Sequence, residues 1–414
     1  MREILASIDI GSSKIKLVVA EINGDDVYIL CALNEDSRGV RNGLICEPEE
    51  TEYAIKRLLK KAEEMLNIKI AKTIVSIAEG ECDFQIGEAS ITITQEDKEI
   101  TSDDIVRVLQ ASVKGHVRKE FELVTVIPIM FKVDERKTRT PRAYHGDALS
   151  VKSVVVTAPK KDVYLAAKCI EKCGVEVIDI MTSSVGAYYA YQIQNSESTT
   201  GIVVDIGAET TNISVFNKGI IINNLVLNMG GNNVDNDISF IYKITPEQAK
   251  GLKESLALAN KKNANVKEKE TVTNTLGENV DINQFELSEV VMSRLHELLN
   301  KIKNEINHLT KKEISYIIIT GGLTEMRDFY LEVESVFGNS ASLGKINIIG
   351  VRDNQYAPCV GMIKYFDSKL KLRDKECSVI SQDDLEILSG NGNKKILSGD
   401  SILGKVFGIF FDNN

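Results

Sequence analysis

A chain of 414 residues is too long for one ordinary hydrophobic core, and 43% hydrophobic with 27% charged content is the make-up of a soluble protein of two or more domains. The formal net charge of −10 argues against a broad nucleic-acid surface, which needs a basic face. The seven cysteines contain no Cys-x-x-Cys pair and fit neither a zinc site nor a disulfide framework, so reduced cytosolic thiols are expected.

Residues 1–9 run straight into a strand pattern with no signal-peptide cleavage site. The stretch from Ile4 through Asp9-Ile10-Gly11-Ser12-Ser13-Lys14 to Ala20 reads as strand, tight glycine turn and second strand. A turn-rich segment, 36–45, comes next. Over 48–67 the spacing of Tyr53, Ile55, Leu58, Leu59, Ala62 and Leu66 predicts an amphipathic helix, and 68–78 a strand. Residues 84–160 are charged and β-rich, with strands near 89–94, 123–133 and 151–158 and a helix over 102–119; they read as an inserted subdomain. Residues 161–173 and 183–193 are expected to be helical.

At Gly201 the opening pattern returns: Asp205-Ile206-Gly207-Ala208-Glu209-Thr210-Thr211 again links two apolar strands, and Asp205 stands close to half a chain length after Asp9. This predicts an internal duplication, with two related α/β lobes facing each other across a cleft. Residues 245–313 are expected to be mostly helical with a polar break at 260–281, 314–320 a buried strand running into Gly321-Gly322, and 357–366 a short helix returning to lobe one. The expected organisation is therefore 1–83 lobe-one core, 84–160 insert, 161–199 lobe-one helices and connection, 200–244 lobe-two core, 245–313 outer subdomain of lobe two, 314–370 lobe-two core and return helix, 371–400 flexible linker rich in Ser, Asp, Gly, Asn and Lys, and 401–414 a final apolar segment.

No apolar run reaches the roughly 18 residues of a membrane-spanning helix, so any membrane contact is expected to be peripheral. On a helical wheel Ile402, Leu403, Val406, Phe407, Ile409, Phe410 and Phe411 fill one arc, and Ser401, Gly404, Lys405, Gly408 and Asp412 the other. After a flexible linker this reads as an interfacial helix for an anionic membrane surface; a last core helix and a partner-binding peptide are the alternatives.

Phosphate groups are held by close backbone amides, small hydroxyls and an anion that keeps a hydrated metal in place. Gly11, Ser12, Ser13 and Lys14 supply amides, two hydroxyls and an ammonium; Gly207, Ala208, Thr210 and Thr211 supply a second set. Asp9 and Asp205 end their strands, placed to hold Mg²⁺ through water. Thr320-Gly321-Gly322-Leu323-Thr324-Glu325-Met326 reads as strand, Gly-Gly turn and helix N-terminus, against whose backbone a purine ring can lie. Asp205 and Glu209 are candidates to orient a hydrolytic water, or hold only metal and solvent. Slow or undetectable turnover is expected.

Together these three elements resemble the actin/heat-shock/sugar-kinase superfamily, and within it the FtsA family of bacterial cell-division proteins over residues 1–367 and the tail. The resemblance rests further on Ser37-Arg38-Gly39-Val40-Arg41-Asn42-Gly43, on Pro128 to Asp134 with Phe131 and Val133, on Gly230-Gly231-Asn232 followed by Asp237-Ile238, and on Arg294 with Glu297. It implies an actin-like two-lobed α/β fold with an inserted subdomain in lobe one, a disordered linker and a C-terminal amphipathic helix. It also implies ATP with Mg²⁺, self-association into protofilaments, and tethering of the tubulin-like FtsZ, whose C-terminal peptide would meet the Arg294 helix. Gly230, Gly231, Asn232 and Lys253 are nucleotide contacts by resemblance. The family's A-E-x-x-K helix reads Ala249-Lys250-Gly251-Leu252-Lys253 here, replacing a carboxylate with an ammonium that cannot accept from ribose hydroxyls, and its usual Thr in the G-G-N segment is Asp235. A pilus-assembly ATPase-like binding module and a sugar- or acetate-type kinase are the competing readings.

Overall fold

In the computed structural model, which describes residues 2–191, 193, 198–375, 377 and 378, the chain divides into two units. The first draws on Met1–Gln192, Asn347–Arg352 and the described chain from Pro358 on; the second on Ile193–Ile346 and Asp353–Ala357. The greater part of the linker and the whole amphipathic segment 401–414 lie outside the described residues.

The first unit opens with a meander, β1 (Arg2–Ile10), β2 (Lys14–Asn23) and β3 (Asp26–Asp36), and a small pair, β4 (Val40–Arg41) and β5 (Leu44–Ile45). Helix α1 (Pro48–Leu66) starts with proline in its first turn and ends on Asn67 in the left-handed region. It buries Ala54, Ile55, Leu58, Leu59 and Ala62, while Tyr53, expected on that face, is exposed: two residues before Ile55 is about 200° around the helix. Strand β6 (Lys72–Ile77) lies parallel to β1.

The insert contains β7 (Asp83–Thr92), α2 (Ser102–Val113), β8 (Phe121–Val133), β9 (Arg136–Thr138) and β10 (Ala148–Pro159), in an antiparallel sheet of order β7-β10-β8-β9 with α2 packed on it. Its core gathers Ile93, Ile105, Val108, Leu109, Phe131, Val133, Leu149 and Val151. Thr101 and Asp104 form a reciprocal capping box at the start of α2. The helix stops at Val113, short of the expected 119, because Lys114 leaves helical geometry and Gly115 turns at φ +87°. Helix α3 (Lys160–Glu171), strand β11 (Glu176–Thr182), which was not anticipated, and α4 (Ser183–Ala190) complete this part.

The second unit repeats the plan. Strands β12 (Thr200–Ile206), β13 (Thr211–Asn217) and β14 (Ile220–Leu227) form a meander, succeeded by α5 (Gly231–Tyr242) and α6 (Pro246–Ser255). The polar break is a hairpin, β15 (Lys269–Thr273) with β16 (Asn279–Asn283), turned at Gly277 with φ +81°. Then come α7 (Gln284–Leu309), β17 (Tyr316–Thr320), α8 (Phe329–Phe337) and β18 (Ala341–Leu343); the chain then returns to the first unit as α9 (Ala357–Arg373), longer than the predicted 357–366.

The two five-stranded sheets run β3-β2-β1-β6-β11 and β14-β13-β12-β17-β18. In each, the first strand of the meander is antiparallel to its hairpin partner and parallel to a later strand. The duplication read from the paired Asp-Ile-Gly loops is thus repeated in the topology. Past their first residues, strands β1 and β12 are apolar on both faces apart from Ser7 and the aspartates near their ends, because both faces of each are covered.

Within the first unit α4 and α9 touch backbone to backbone. A Cβ on Gly361 would overlap the carbonyl oxygen of Gly186, and Tyr189 stacks on Tyr365 with ring centroids 4.6 Å apart. Gly361→Ala is therefore expected to cost about 1–3 kcal/mol through overpacking, seen as a lower denaturation midpoint; an unchanged midpoint would mean that the helices part freely.

Candidate functional site

Both Asp-Ile-Gly turns close in the same way. Gly11 N donates to Lys14 O at 3.2 Å, and Gly207 N donates to Thr210 O at 2.9 Å. Each turn ends the strand that carries its aspartate, and antiparallel register then decides what faces the carboxylate: Lys16 opposite Asp9, Asn212 opposite Asp205.

In the first unit Asp9 is 4% exposed. Its Oδ2 lies 2.6 Å from Lys16 Nζ, and its Oδ1 accepts from Ser76 Oγ at 2.6 Å and Ser183 Oγ at 3.1 Å. Burial pushes the carboxyl up, but Lys16 and these hydrogen bonds outweigh it and hold its pKa below the usual carboxylate value. Lys16 was missed by motif reading, which took Lys14 as the ammonium of the loop; Lys14 Nζ instead meets Asp36 Oδ1 at 2.6 Å. Counting the hairpin back from its turn would have found Lys16. Ser12 Oγ accepts from Gly43 N at 2.8 Å, which leaves its O–H able to donate, and Ser37 N donates to the carbonyl of Ser13 at 2.9 Å.

The second unit gathers more of the expected residues. Gly231 N donates to Gly207 O at 2.9 Å and Asn232 N to Ala208 O at 2.8 Å, while Gly230 N donates to Asn233 Oδ1 at 2.9 Å. The first amides of α5 are thus spent on bracing the turn. A Cβ on Gly230 would sit 2.5 Å from Gly207 O, so the close approach requires glycine. Thr211 Oγ1 donates to Met229 O at 2.8 Å and fixes the other side of the turn.

Gly321 adopts φ +99°, and a Cβ there would overlap Asp205 Oδ1 and the carbonyl of Ile206. Beyond it the chain makes a short 3₁₀ turn, Gly322–Glu325, and not the expected α-helix N-terminus. Thr324 Oγ1 donates to Gly321 O at 2.8 Å, Met326 N closes on Leu323 O, and α8 begins only at Phe329. Leu323 is buried and approaches Gly231. Asp205, Gly207, Gly230, Gly231, Lys253, Gly321 and Leu323 therefore form one neighbourhood, and it is lined by backbone wherever a side chain would fill it. That arrangement fits a flat ligand with phosphate groups.

Lys253 Nζ lies 2.7 Å from Asp235 Oδ1 and donates to Gly231 O at 3.3 Å. One of the two departures noted in the sequence thereby finds its partner: Asp235 is the carboxylate that receives Lys253, which itself keeps the family pattern. Burial outweighs Lys253 and Lys250 and holds the Asp235 carboxyl above its ordinary pKa. Arg294 on α7 makes a two-pronged contact with Asp237 on α5, Nε to Oδ2 at 2.6 Å and Nη2 to Oδ1 at 2.9 Å, and reaches Glu297 with Nη1. One turn past Asp237, Phe240 is 85% and Ile241 51% exposed. Both were missed. The signal was there, since Val234 and Ile238 set the buried stripe of α5 and these two fall off it. Among the described residues no group of three or more His, Cys, Asp and Glu could hold a metal, and no helix is long and apolar enough to cross a membrane.

Removing one member of a buried ion pair strands the other. Lys253→Met is expected to cost about 3–5 kcal/mol in denaturant unfolding, and the double variant Lys253→Met/Asp235→Leu to recover most of that. Equal losses in the two would show that the pair is not coupled.

A sequence profile described as "Cell division protein FtsA" matches residues 202–361, and one described as "SHS2 domain inserted in FTSA" matches residues 80–157. The cell division protein FtsA of Bacillus subtilis (strain 168) is 29% identical over 367 residues, which cover 88% of this chain and 83% of that protein. The protein of the same name from Escherichia coli (strain K12) is 24% identical, with 88% and 90% covered. Solved structures of the same fold include a PilM–PilN type IV pilus biogenesis complex, with TM-score 0.58, 14% identity, 86% of this chain and 97% of that one. MreB5 of Spiroplasma citri bound to ADP is another, with TM-score 0.56, 13% identity, 89% and 97% covered. With its duplicated meander, its insert and these matches, the chain belongs to the FtsA family of actin-like cell-division proteins.

Proposed function

We propose that the chain is an ATP-binding, self-associating tether that attaches FtsZ to the cytoplasmic face of the membrane at the division site. The observation that carries this reading is the neighbourhood of Gly207, Gly230 and Gly321 around Asp205, on a fold whose other half repeats the same turn. ATP is the ligand that suits it. The Gly321–Met326 segment would lie against the purine, Gly230, Gly231, Asn232 and Lys253 beside the ribose and phosphates, and the turns Gly11–Lys14 and Gly207–Thr211 along the phosphates. Mg²⁺ would neutralise phosphate charge. It usually keeps several waters and takes few protein ligands, so Asp205 acting through water would suffice without a protein cage; both oxygens of Asp9, the other candidate, are already taken by Lys16, Ser76 and Ser183. Asp205 and Glu209 would orient the hydrolytic water. The competing kinase reading needs an acceptor site with a general base. The insert instead matches a domain profile whose description ties it to FtsA.

The partner surface in this reading is Arg294 together with Phe240 and Ile241, supported by exposed apolar anchors beside a guanidinium, which suit a short peptide that ends in a carboxylate. Part of Arg294 is committed to Asp237 and Glu297, so the aromatic side chain carries more of the affinity. The segment 401–414 supplies the membrane contact, and self-association raises its avidity.

Three outcomes test this reading. With FtsZ and ATP present, the full chain should co-sediment with liposomes and a chain lacking residues 401–414 should not; unchanged sedimentation would remove the anchor. Gly321→Val should weaken binding of a fluorescent ATP analogue at least about tenfold while melting stays cooperative, because the new side chain collides with Asp205 and the left-handed backbone strains. Phe240→Ala should weaken capture of the FtsZ C-terminal peptide by about 2 kcal/mol, the loss of a buried aromatic anchor. Full affinity in that variant would place the partner elsewhere.

A further inference from the structure

We propose that the inserted subdomain carries a second membrane contact, a rigid basic surface for anionic lipid headgroups, set where the chain leaves α9. The inference rests on the tether reading above and adds a site to it.

From Arg136 to His145 the sequence holds four cations, Arg136, Lys137, Arg139 and Arg142, and no carboxylate, in a chain of net charge −10. All four side chains belong to exposed residues. The neighbouring acids are occupied locally. Glu135 pairs with Lys132 at 3.2 Å and Asp147 with Lys98 at 3.2 Å, while Asp134 accepts from the backbone amides of Asp147 and Ala148. Among the described residues neither Arg136 nor Lys137 has a carboxylate within ion-pair distance.

The surface is held still. Ile100 N donates to Tyr144 O, Ala143 N to Ile100 O and Gly146 N to Lys98 O, stitching the 141–146 loop to the segment before α2. The Arg136 guanidinium lies 5.5 Å above the Tyr144 ring. Tyr144 and Leu372, on the last turn of α9, both pack against the insert's core, and Arg142 Nη1 lies 2.5 Å from Asp374 Oδ1. Arg142 and Tyr144 therefore bring this segment to the end of the helix from which the chain runs on toward residue 401.

Lipid suits this surface better than a protein partner. Protein interfaces depend on buried aromatic and apolar anchors. Among the described residues of the insert, the large apolar side chain that is exposed, Ile86, stands on β7, at the opposite edge of the sheet from β9 and its cations. A field of fixed cations without anchors suits a plane of diffuse negative charge. The need is also physical. One short amphipathic segment with Lys405 as its only cation binds marginally, stable peripheral attachment takes two signals, and an acidic protein is otherwise repelled by an anionic leaflet.

The test uses the full chain, the double variant Arg136→Gln/Lys137→Gln, the single variant Lys137→Glu as a surface change that leaves the Tyr144 stack intact, and the chain without residues 401–414. Each is titrated with phosphatidylcholine vesicles with and without phosphatidylglycerol. The double variant should lose about 10- to 30-fold in affinity for the phosphatidylglycerol vesicles, about fivefold per cation, and nothing on phosphatidylcholine alone. Lys137→Glu should lose at least fivefold on the same vesicles, and raised salt should close both gaps. Affinity for phosphatidylglycerol vesicles equal to the parent's in both variants overturns the proposal, as does an equal loss on both vesicle types. A loss confined to a soluble glutamate-rich peptide overturns it in favour of an acidic protein partner. Deleting residues 401–414 decides the anchor separately: if that chain binds phosphatidylcholine as the parent does, the tail reading fails, and the effect of the two variants on phosphatidylglycerol still decides the patch.

Discussion

Each half of the chain depends on one strand that is paired antiparallel on one edge and parallel on the other, and whose last residue but one is an aspartate. β1 and β12 are those strands. The antiparallel partner arrives through a glycine turn of fixed length, so register alone sets which residue faces the carboxylate. In one half it is Lys16, which neutralises Asp9 inside the protein. In the other it is Asn212, which leaves Asp205 to be shaped by the Gly321 backbone from the neighbouring parallel strand. The same constraint, filled by different residues, gives one electrostatically closed turn and one walled by main chain. A carboxylate as buried as Asp9 would otherwise protonate; the ammonium and two hydroxyls keep it charged.

The second half meets the same problem again at Lys253. An ammonium 8% exposed needs an anion, and Asp235 from α5 provides it. The pair joins one departure from the family pattern, Asp235, to a residue that keeps it, Lys253, while Lys250, the other departure, acts on Asp235 as a nearby positive charge. Asp235 lies on the first turns of the helix that braces the Gly207 turn, and the pair consequently fixes α6 against α5 at the glycine neighbourhood. Low exposure makes its geometry demanding, and that demand gives it positional specificity more than net stability.

The legibility of the fold in the sequence tracks the range of the forces involved. Strand–turn–strand units and amphipathic helices were readable because their signals lie within about a dozen residues, period-two alternation, a glycine turn and helical spacing, and the duplication because two such short signals repeat. The 269–283 hairpin was within reach too, through the alternation around Val272 and Val280 and the glycine at 277, but its polar outer positions made it read as a break between helices. Lys16 could be counted from the turn. The partners that define the candidate site could not be read in this way: Asp237 for Arg294, Asp235 for Lys253 and Gly321 for Asp205 are brought together by packing across 18 to 116 positions, and no local pattern encodes them. Exposed Phe240 and Ile241 show the opposite case, residues whose importance is visible only once the buried stripe of their helix is known.

Helix α9 explains why the insert is coupled to the rest of its unit. Its N-terminal half is locked to α4 by glycine against glycine, and Ser7 Oγ on β1 donates to the carbonyl of Cys359 at 2.9 Å. Further along, Lys369 Nζ lies 2.8 Å from both oxygens of Asp179 on β11 and reaches Thr125 on β8, while Tyr365 donates to Val126 O. Burial lowers the Lys369 pKa, and removing either charge of this pair would leave the other stranded in the interior. The last turn then enters the insert's own core through Leu372. One helix thus bonds in succession to the central strand, the outer parallel strand and the inserted sheet. A force applied where the chain leaves α9 reaches the insert directly and the Asp9 turn through β1, so the end of α9, the 136–145 segment and the first turn share one mechanical element.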